Sequence, residues 1–373
     1  MRSFSTALVA VVLFAGLSAR TSRAQINSAA PAKIPASGSD IAGSTIALRA
    51  ASTMNLASEM GGAVMSGTKC DADGNLYIRK LATDRPLLSP VVKIDPDGKR
   101  VALFDPAAFS QLALDRADAF SPALDGGMYQ VAQSGVLKPR IYVLHFSSDG
   151  SPSSPVLLEA DFEVYAFAAF ASGNFLLSGV KRDVQNKDDR GRSFTAVFSA
   201  DGRELAQLSF EESHEPGKAG AKPGAGGSQP VAAQKAVQNK AGKAAPTLDL
   251  ADAEVGSDGN LYVMRRSAPA LVYVIAPSGK IMQTLEIAAP LVGSVPGAFH
   301  LSGNRLAIPF WNEQSQSQTI VVADAQTGGK IASYSDPTDP DASFACYSAN
   351  DGVFTFLKLG EGNALEVIRA EAQ

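Results

Sequence analysis

The sequence predicts an all-β fold, a six-bladed β-propeller with four-stranded blades. A turn motif, Asp-Gly-Asn-Leu-Tyr, occurs at residues 73–77 and again at residues 258–262. Related glycine turns recur along the chain at intervals near 47 residues, a length that suits four short strands. The chain also contains 33 glycines and 21 prolines among 373 residues, as expected for many short strands joined by turns.

Each repeat has two tight turns. The first precedes a short apolar strand, and the second separates two alternating strands, as in "VVKIDPDGKRVALF" at residues 91–104. The first turn recurs at Gly74, Gly127, Gly173, Gly259, Gly303 and Gly352, with separations of 53, 46, 86, 44 and 49 residues. We interpret each repeat as strands A to D, with tight A–B and C–D turns. A β-sandwich also has regular short strands, but it does not predict this fixed order of turns.

The separation of 86 residues contains a low-complexity insertion at residues 212–247, between the third and fourth repeats. It is rich in Gly, Ala, Pro, Lys and Gln, so we expect it to be disordered. Removal of its 32 residues from Glu215 to Pro246 reduces the separation to 54. Its five lysines suit a solvated linker or a tether to an anionic surface.

The two ends of the repeat region predict a closed ring. The last repeat has strands at residues 343–349, 353–359 and 364–370, and lacks a fourth. A strand at Ser44–Ala50 precedes the first repeat, and we predict that it completes the last blade. A closed ring leaves no unpaired sheet edge at that point. The propeller is therefore predicted over residues 42–373.

The first 24 residues have the pattern of a secretory signal peptide, with Arg2, an apolar run at residues 7–19 and small residues before Ala24. Residues 25–41 then form a flexible leader. We expect a periplasmic or extracellular monomer without a transmembrane segment. The formal charge of −4 and the pI near 5.5 give no nucleic-acid-binding pattern.

The units "DGNLYI…VVKIDPDGK" and "DGNLYVM…LVYVIAPSGK" resemble repeats of the NHL and gluconolactonase-like (TolB-like) six-bladed propellers. The resemblance covers Gly61 to Gln373 and rests on structural turns. That group includes calcium- or zinc-dependent lactonases, extracellular ligand binders and interaction scaffolds, so the resemblance implies a fold and leaves the function open. The resembling lactonases carry Glu-Gly-Pro followed by Trp in their first strand. The stretch "EMGGAVMSG" at Glu59–Gly67 lacks that Pro and Trp.

The two cysteines, Cys70 and Cys346, fall on the A strands of the first and last repeats. Ring closure makes those blades neighbours, and an exported protein is compatible with a disulfide between them. The alternative is two buried free thiols whose Cα atoms are too far apart to be bridged.

The longer connections, the B–C loops and the D–A connections, lie on the face opposite the tight turns. Variable loops on a rigid scaffold are the usual place for function, so this face is the predicted binding face. Basic residues stand at the ends of four B strands, and the only tryptophan stands at the same place in the fifth repeat. These candidate ligand-binding residues are Arg79, Lys80, Lys181, Arg182, Arg265, Arg266, Trp311 and Lys358. They suit an anionic ligand, or they are solvated charges at strand ends.

Asp252 and Glu254 alternate on one A strand and are the best candidate ligand pair for a metal. The alternative is a pair of hydrogen-bonded channel residues. The chain has no catalytic motif such as H-E-x-x-H or G-x-S-x-G, so we assign no catalytic residue. We predict a non-catalytic binding protein or interaction scaffold without a cofactor. The alternative is a calcium- or zinc-dependent lactonase or hydrolase.

Overall fold

The computed structural model describes residues 45–61, 64, 67–135, 139–158, 162–181, 193–208, 250–335, 341–360 and 364–373. The predicted signal peptide, leader and insertion lie outside these ranges. The described helices are one α-helix at Ala57–Met60 and three 3-10 helices at Pro86–Leu88, Pro106–Ala108 and Ser110–Leu112. In the ranges given above, no helix has the length and apolar character that a membrane crossing requires.

Strands make up nearly all of the remaining structure. The first strand, β1 (Ile46–Asn55), pairs with the last part of the chain. Sixteen strands then form four antiparallel sheets of four strands each, in chain order. The first two sheets contain β2 (Lys69–Cys70), β3 (Leu76–Arg79), β4 (Val91–Ile94) and β5 (Arg100–Phe104), and then β6 (Arg116–Pro122), β7 (Met128–Ser134), β8 (Arg140–Phe146) and β9 (Val156–Leu158).

The third and fourth sheets repeat this plan on either side of the insertion. They contain β10 (Phe162–Ala169), β11 (Phe175–Lys181), β12 (Ser193–Phe198) and β13 (Glu204–Gln207), and then β14 (Leu250–Val255), β15 (Leu261–Arg265), β16 (Ala270–Ile275) and β17 (Ile281–Ile287).

The remaining strands form one nine-stranded sheet. These are β18 (Ser294–Pro296), β19 (His300–Ser302), β20 (Arg305–Asn312), β21 (Ser317–Asp324), β22 (Lys330–Ser335), β23 (Ser343–Tyr347), β24 (Phe354–Leu359), β25 (Leu365–Ala372) and β1. Two antiparallel groups meet where β1 pairs in parallel with β22, through Ile46 opposite Tyr334 and Ala47 opposite Ser335. On its other edge β1 pairs antiparallel with β25.

The innermost strands define the architecture. β2 contacts β6, and the contacts continue through β10, β14, β19 and β23 back to β2. This closed cycle surrounds a central channel, and the sheets extend outward from it. The chain is therefore an all-β protein with a β-propeller arrangement of four-stranded blades.

Apolar residues fill the spaces between neighbouring sheets. Tyr77 on β3 stacks on Phe104 on β5, and Phe104 meets Phe146 of the next sheet edge to face. All three side chains are buried. The apolar cores are thus layers between neighbouring blades. For this reason glycine turns and apolar strands, rather than polar groups, identify each repeat in the sequence.

The repeated motif owes its recurrence to turn geometry. Gly74 and Gly259 adopt φ angles of +78° and +79°, a region that favours glycine. The motif's leucines, Leu76 and Leu261, are 1% and 0% exposed in the cores. The recurrence therefore reports architecture, as expected from the sequence.

Two strands differ from the expectation. β1 extends to Asn55 instead of ending at Ala50, because it pairs with β25 along its whole later part. The predicted A strand of the fifth repeat is divided into β18 and β19, which both pair with β20. Between them, Gly297 N–H donates to Pro309 O over 2.7 Å. The inward and outward alternation of side chains is therefore interrupted at Gly297 and begins again with β19 at His300.

The two faces of the ring differ as the repeat predicts. The A–B turns, such as residues 71–75 and 256–260, lie at one end of the inner strands, which we call the turn face. The B–C loops and D–A connections lie at the other end, which we call the loop face. Each inner strand begins at the loop face and ends at the turn face.

Candidate functional site in the central channel

A lysine and two carboxyl groups meet inside the ring. Lys69 lies on β2, whereas Asp252 and Glu254 lie on β14, which is not a neighbour of β2 in the cycle of inner strands. Lys69 Nζ forms an ion pair with Asp252 and also donates to the carbonyl oxygen of Ala253 over 3.2 Å. The ion pair therefore connects two blades across the channel.

Strand alternation places the two carboxyl groups together. Asp252 and Glu254 are separated by Ala253, which is 3% exposed and packs in the core between blades. The ladder between β14 and β15 has an irregularity just before Asp252, after which the pairing is regular. The side chains of both acids consequently line the channel, as the alternating pattern predicted.

Glu254 is half-buried in the wall of the channel. Its Oε2 accepts a hydrogen bond from Leu301 N–H on β19 over 2.6 Å. Burial and the neighbouring Asp252 carboxylate raise the pKa of Glu254 well above its usual range, although Lys69 and the Leu301 N–H act in the opposite direction. The protonated acid is therefore favoured over a wider pH range than for an ordinary glutamate.

A cavity of about 230 Å³ lies on the loop-face side of this cluster. We call it the loop-face cavity. Lys69, Asp252 and Glu254 form its polar floor. Its walls carry two hydroxyl groups and several apolar side chains, among them Thr68, Ser343, Phe299, Phe344 and Leu357. The cavity combines a hydrogen-bonding floor with apolar walls, the composition expected of a small-molecule site.

A second cavity, of about 140 Å³, lies on the turn-face side. We call it the turn-face cavity. It shares Lys69, Cys70 and Glu254 with the loop-face cavity and adds Asp71, Asp73 and Leu124 from the A–B turns of the first two sheets. The cluster of Lys69, Asp252 and Glu254 thus separates two spaces that lie on opposite sides of the ring.

Cys70 and Cys346 form a disulfide between β2 and β23, with their Cα atoms 6.1 Å apart. These strands are neighbours in the inner cycle and belong to the first and last repeats. The bridge spans a sequence separation of 276 residues. Because Cys70 also lines both cavities, the bridge lies beside the candidate site.

His300 on β19 is a buried neighbour of the cluster, at 2% exposure. Tyr347 N–H donates to its Nδ1 over 3.2 Å, and the Tyr347 carbonyl oxygen lies 3.0 Å from the same nitrogen. Its Nε2 has no hydrogen-bond partner within the described residues. Burial lowers the pKa of His300 to about 4, so the ring is neutral at neutral pH. His300 therefore connects β19 to β23, beside the channel cluster.

Two of the predicted basic residues are engaged in packing. The Arg79 guanidinium donates to the Asp118 carbonyl oxygen of the next blade and lies 5.7 Å from the centre of the Phe120 ring. Burial lowers the pKa of Arg79, and the charge of Asp118 opposes this effect. Lys181 Nζ lies 5.3 Å from the centre of the Phe194 ring on the neighbouring strand.

The other predicted basic residues are arranged around the loop face at different depths. Arg266 is exposed, whereas Lys80, Arg265 and Lys358 are half-buried. Arg182 lies outside the described residues. Within the described lining of the two cavities, the predicted residues that occur are Cys70, Asp252 and Glu254.

Trp311 stands at the end of β20, with 42% of its surface exposed. It pairs across the ladder with Val295 on β18, which is 54% exposed. The buried Asn312 holds the adjoining loop by donating to Val292 O and Ser294 Oγ, each over 3.1 Å. Trp311 is therefore presented by a well-anchored loop on the loop face, outside the described channel lining.

The donor set of the cluster does not suit a divalent metal. Across the described ranges, no three His, Cys, Asp or Glu side chains are grouped so that they could hold one. Asp252 already pairs with the Lys69 ammonium, which supplies the positive charge that a metal would bring. Asp252 and Glu254 lie side by side, but the third polar side chain beside them is the cationic Lys69, whereas a metal site would need another oxygen ligand there.

Lys69 is the residue that reasoning from the sequence missed. The sequence did contain an indication of its role, because Lys69 directly precedes Cys70 on the predicted A strand of the first repeat. Because side chains alternate along a strand, a buried Cys70 directs Lys69 and Asp71 toward the channel. Its partner on β14 could not be inferred, since the two residues are 183 positions apart and nothing in the repeat pairs those blades.

No family model matches the chain, and no curated protein matches it either. Solved structures do show similarity. The WD40 domain of Pan2 from Neurospora crassa is 9% identical, with a TM-score of 0.43, and the match covers 88% of this chain and 97% of that one. A putative oxidoreductase (glucose dehydrogenase) from Thermus thermophilus is 12% identical, with a TM-score of 0.41, and the match covers 87% and 99%.

A protein of unknown function from Bacteroides caccae is 11% identical, with a TM-score of 0.39, and the match covers 72% of this chain and 80% of that one. Likenesses of this degree assign no activity or ligand. The chain is a β-propeller by its own strand order and by its closed cycle of inner strands.

Proposed function

We propose that the protein is an exported, six-bladed β-propeller that binds a small carboxylate ligand in the loop-face cavity without catalysing a reaction. The observation that carries the proposal is the floor of that cavity. There, Lys69 has used two of its three N–H donors, and Glu254 stands beside it with a raised pKa, which favours the acid form that can donate a proton.

Six blades follow if the nine-stranded sheet is two blades joined by the parallel pair of β1 and β22. The cycle of inner strands has six members. Contacts between turns and outer strands support this count. A Cβ at Gly150 would collide with Leu103 O on the outer strand of the preceding blade. A Cβ at Gly98 would lie 3.3 Å from Met54 on β1, so β1 takes the place of the outer strand before the first blade.

The floor favours a ligand that accepts hydrogen bonds. Lys69 donates to Asp252 and to Ala253 O, which leaves one ammonium N–H for a ligand. Glu254 Oε2 accepts from Leu301 N–H, so its other oxygen is the one that can carry a proton toward a ligand. A carboxylate offers two acceptor oxygens to these two donors, and a hydrogen bond between charged groups is stronger than a neutral one.

The walls favour an apolar body behind the carboxylate. The half-buried Phe344 and Leu357 border the cavity together with the buried Phe299. Thr68 and Ser343 add hydroxyl groups. A compact aromatic or branched carboxylic acid fits this division between floor and walls better than a phosphate or a sugar, which would leave polar groups against the apolar side chains.

The lactonase alternative gains no support from the floor. It requires oxygen ligands around a divalent cation, whereas Lys69 occupies the Asp252 carboxylate. The anionic ligand inferred from the sequence is retained. Its expected binding group is now Lys69 in the channel, in place of the ring of basic residues at the B-strand ends.

Binding of benzoate, measured by calorimetry and by ligand-observed NMR, tests the proposal. Benzyl alcohol is the neutral comparison, and benzylammonium the cationic one. We expect benzoate to bind and Lys69→Met to weaken that binding at least about tenfold, because the charged donor is lost. Lys80→Met is the matched control, since Lys80 is a half-buried lysine outside the described cavity lining.

A second comparison separates the two anion hypotheses. Replacement of Arg265 and Arg266 together by alanine should leave benzoate affinity within twofold. If that double variant loses binding and Lys69→Met keeps it, the ligand binds at the rim and the proposed floor is wrong. If the parent binds none of the three probes, or binds benzyl alcohol as well as benzoate, carboxylate recognition is wrong. Stabilisation by calcium or zinc that Asp252→Asn removes would favour the lactonase alternative.

A further inference from the structure

We propose that the turn-face cavity is a second ligand site, for a small organic ammonium ion, and that Glu254 couples it to the loop-face cavity. The ligand would enter between the A–B turns of the first two blades, on the face opposite the loop-face cavity. Its ammonium group would pair with Glu254 at the bottom and with Asp73 at the mouth.

The charges around this cavity leave a net negative balance. Lys69 is neutralised by Asp252. Asp71 lies 3.5 Å from Lys93 Nζ and accepts hydrogen bonds from Asn75. Those two pairs cancel, which leaves the negative charge of Asp73 and, once an ammonium has displaced its proton, that of Glu254.

Neither remaining carboxyl group is satisfied by the protein. Asp73 is exposed, and its side chain has no ion-pair partner among the described residues. Glu254 Oε2 accepts from Leu301 N–H, but within the described structure Oε1 accepts no hydrogen bond. Glu254 is half-buried and lines the cavity, so a bound ammonium group would supply the donor that Oε1 lacks.

The rest of the lining suits a short alkyl chain. Leu124 is 49% exposed at the edge of the cavity, and Pro122 and Ala72 border it. A volume of about 140 Å³ admits a few heavy atoms. These features define the ligand as a small primary amine in its protonated form, with a short apolar tail.

The pH dependence follows from the groups that face Glu254. Asp252 stands on the same strand, Lys69 approaches from β2, and Asp71 and Asp73 follow β2 in the A–B turn. His300 on β19 is neutral above pH values near 4. Because the raised pKa of Glu254 favours its acid form, an ammonium group that pairs with its carboxylate would displace a proton. Ammonium binding should therefore release one proton and strengthen as the pH rises.

The two sites should oppose each other. A carboxylate on the loop-face side favours protonated Glu254, and an ammonium on the turn-face side favours the ionised form. Since Glu254 lines both cavities, each ligand should weaken the other by the same factor. This coupling depends on the carboxylate site of the proposed function. The ammonium site does not depend on it.

Propylammonium is the probe, with propanol as the neutral comparison, and chemical-shift titration is the measurement. Below the pKa of Glu254, we expect affinity to rise about tenfold per pH unit, with one proton released into buffer. Glu254→Gln should abolish the pH dependence while keeping the acceptor for Leu301 N–H. Asp73→Asn should weaken binding severalfold and keep the pH dependence.

Asp97→Asn is the matched control. Asp97 is an exposed residue whose N–H donates to Asp95, just as the Asp73 N–H donates to Asp71, but it is outside the described lining of the cavity. We expect no change in that variant. The proposal is overturned if propanol binds as well as propylammonium, or if Asp73→Asn and Asp97→Asn behave alike. Binding without proton release would overturn the role of Glu254 even if Glu254→Gln failed to fold.

The coupling between the two cavities is measured as the change in propylammonium affinity when benzoate is added. Benzoate at a concentration that just saturates the parent should reduce propylammonium affinity in the parent and reduce it much less in Lys69→Met, which binds benzoate more weakly. If propylammonium binds as predicted and benzoate does not bind at all, the proposed function fails while the ammonium site stands. If benzoate strengthens propylammonium binding, the opposition through Glu254 is wrong.

Discussion

Lys69 on β2 and Asp252 on β14 form an ion pair between two blades that are not neighbours in the inner cycle. Their side chains are 15% and 20% exposed, so the pair is largely removed from solvent. A propeller has no core along its axis, and its blades pack mainly against their neighbours. This pair therefore adds a direct connection across the channel.

Loss of Lys69 alone should destabilise the protein. Lys69→Met leaves the Asp252 carboxylate poorly solvated without its partner, and we expect the free energy of unfolding to fall by about 2–4 kcal/mol. The double variant Lys69→Met with Asp252→Asn should recover most of that loss. Urea denaturation measures both effects.

An exposed pair supplies the control for that experiment. Arg203 and Asp201 form a salt bridge with side chains 75% and 58% exposed. Arg203→Met should change stability by less than about 1 kcal/mol, because solvent already screens the pair. Equal losses in Lys69→Met and Arg203→Met would show that the channel pair has no special role.

Glu254 should make the protein less stable as the pH rises. Its pKa is raised in the folded state, so the folded protein holds a proton that the unfolded chain releases above about pH 4.3. The favourable contribution is complete below that value and is lost as the pH rises toward the folded-state pKa. Glu254→Gln removes this loss, so its stability relative to the parent should increase between pH 5 and pH 8. A constant difference across that range would contradict the raised pKa.

In contrast to Glu254, His300 should make the protein less stable as the pH falls. Its pKa of about 4 in the folded state lies below the usual value near 6.5, because burial disfavours the charged ring. The neutral ring is fully compatible with folding above pH 6.5, and stability falls as the pH decreases toward 4. The expected loss is about 3 kcal/mol over that interval. His300→Gln should flatten this part of the stability profile, as measured by urea titrations at pH 7, 5.5 and 4.5.

The repeat allowed most of the fold to be predicted from the sequence. Gly74 and Gly259 mark turns, because a positive φ restricts the residue type. Leu76 and Leu261 mark the core, because the alternation of apolar and polar residues indicates which side chains are buried. The parallel pairing of β1 with β22 could not be foreseen, since it joins two sheet edges without a turn between them. Only the three-dimensional arrangement brings Ile46 opposite Tyr334.

The candidate site was less accessible to reasoning from sequence. Asp252 and Glu254 were selected by their alternation, as a candidate ligand pair for a metal or, alternatively, as hydrogen-bonded channel residues. Arg79 was assigned to a binding surface because it ends a B strand, yet it packs on Phe120. Sequence position identifies the end of a strand, but the neighbouring blade decides whether a long side chain turns inward or outward.

The disulfide predicts a large effect of reduction. Cys70 and Cys346 are separated by 276 positions, so the bridge restricts the unfolded chain strongly. Replacement of both cysteines by alanine should lower the free energy of unfolding by about 3–5 kcal/mol. Thiol titration of the unfolded, unreduced protein is the companion measurement. Two reactive thiols per chain would contradict the bridge.

Arg79 and Arg266 should respond differently to the same substitution. Arg79 donates to the Asp118 carbonyl oxygen of the adjacent blade and covers Phe120, whereas Arg266 is exposed. Arg79→Met should lower the free energy of unfolding by about 1–3 kcal/mol, because a contact between blades is lost and the partly buried Asp118 carbonyl loses a donor. Arg266→Met should stay within about 0.5 kcal/mol. Thermal and urea denaturation of both variants decides the matter: equal stability would mean that Arg79 is a solvated rim charge, and that its contact with Asp118 does not hold the two blades together.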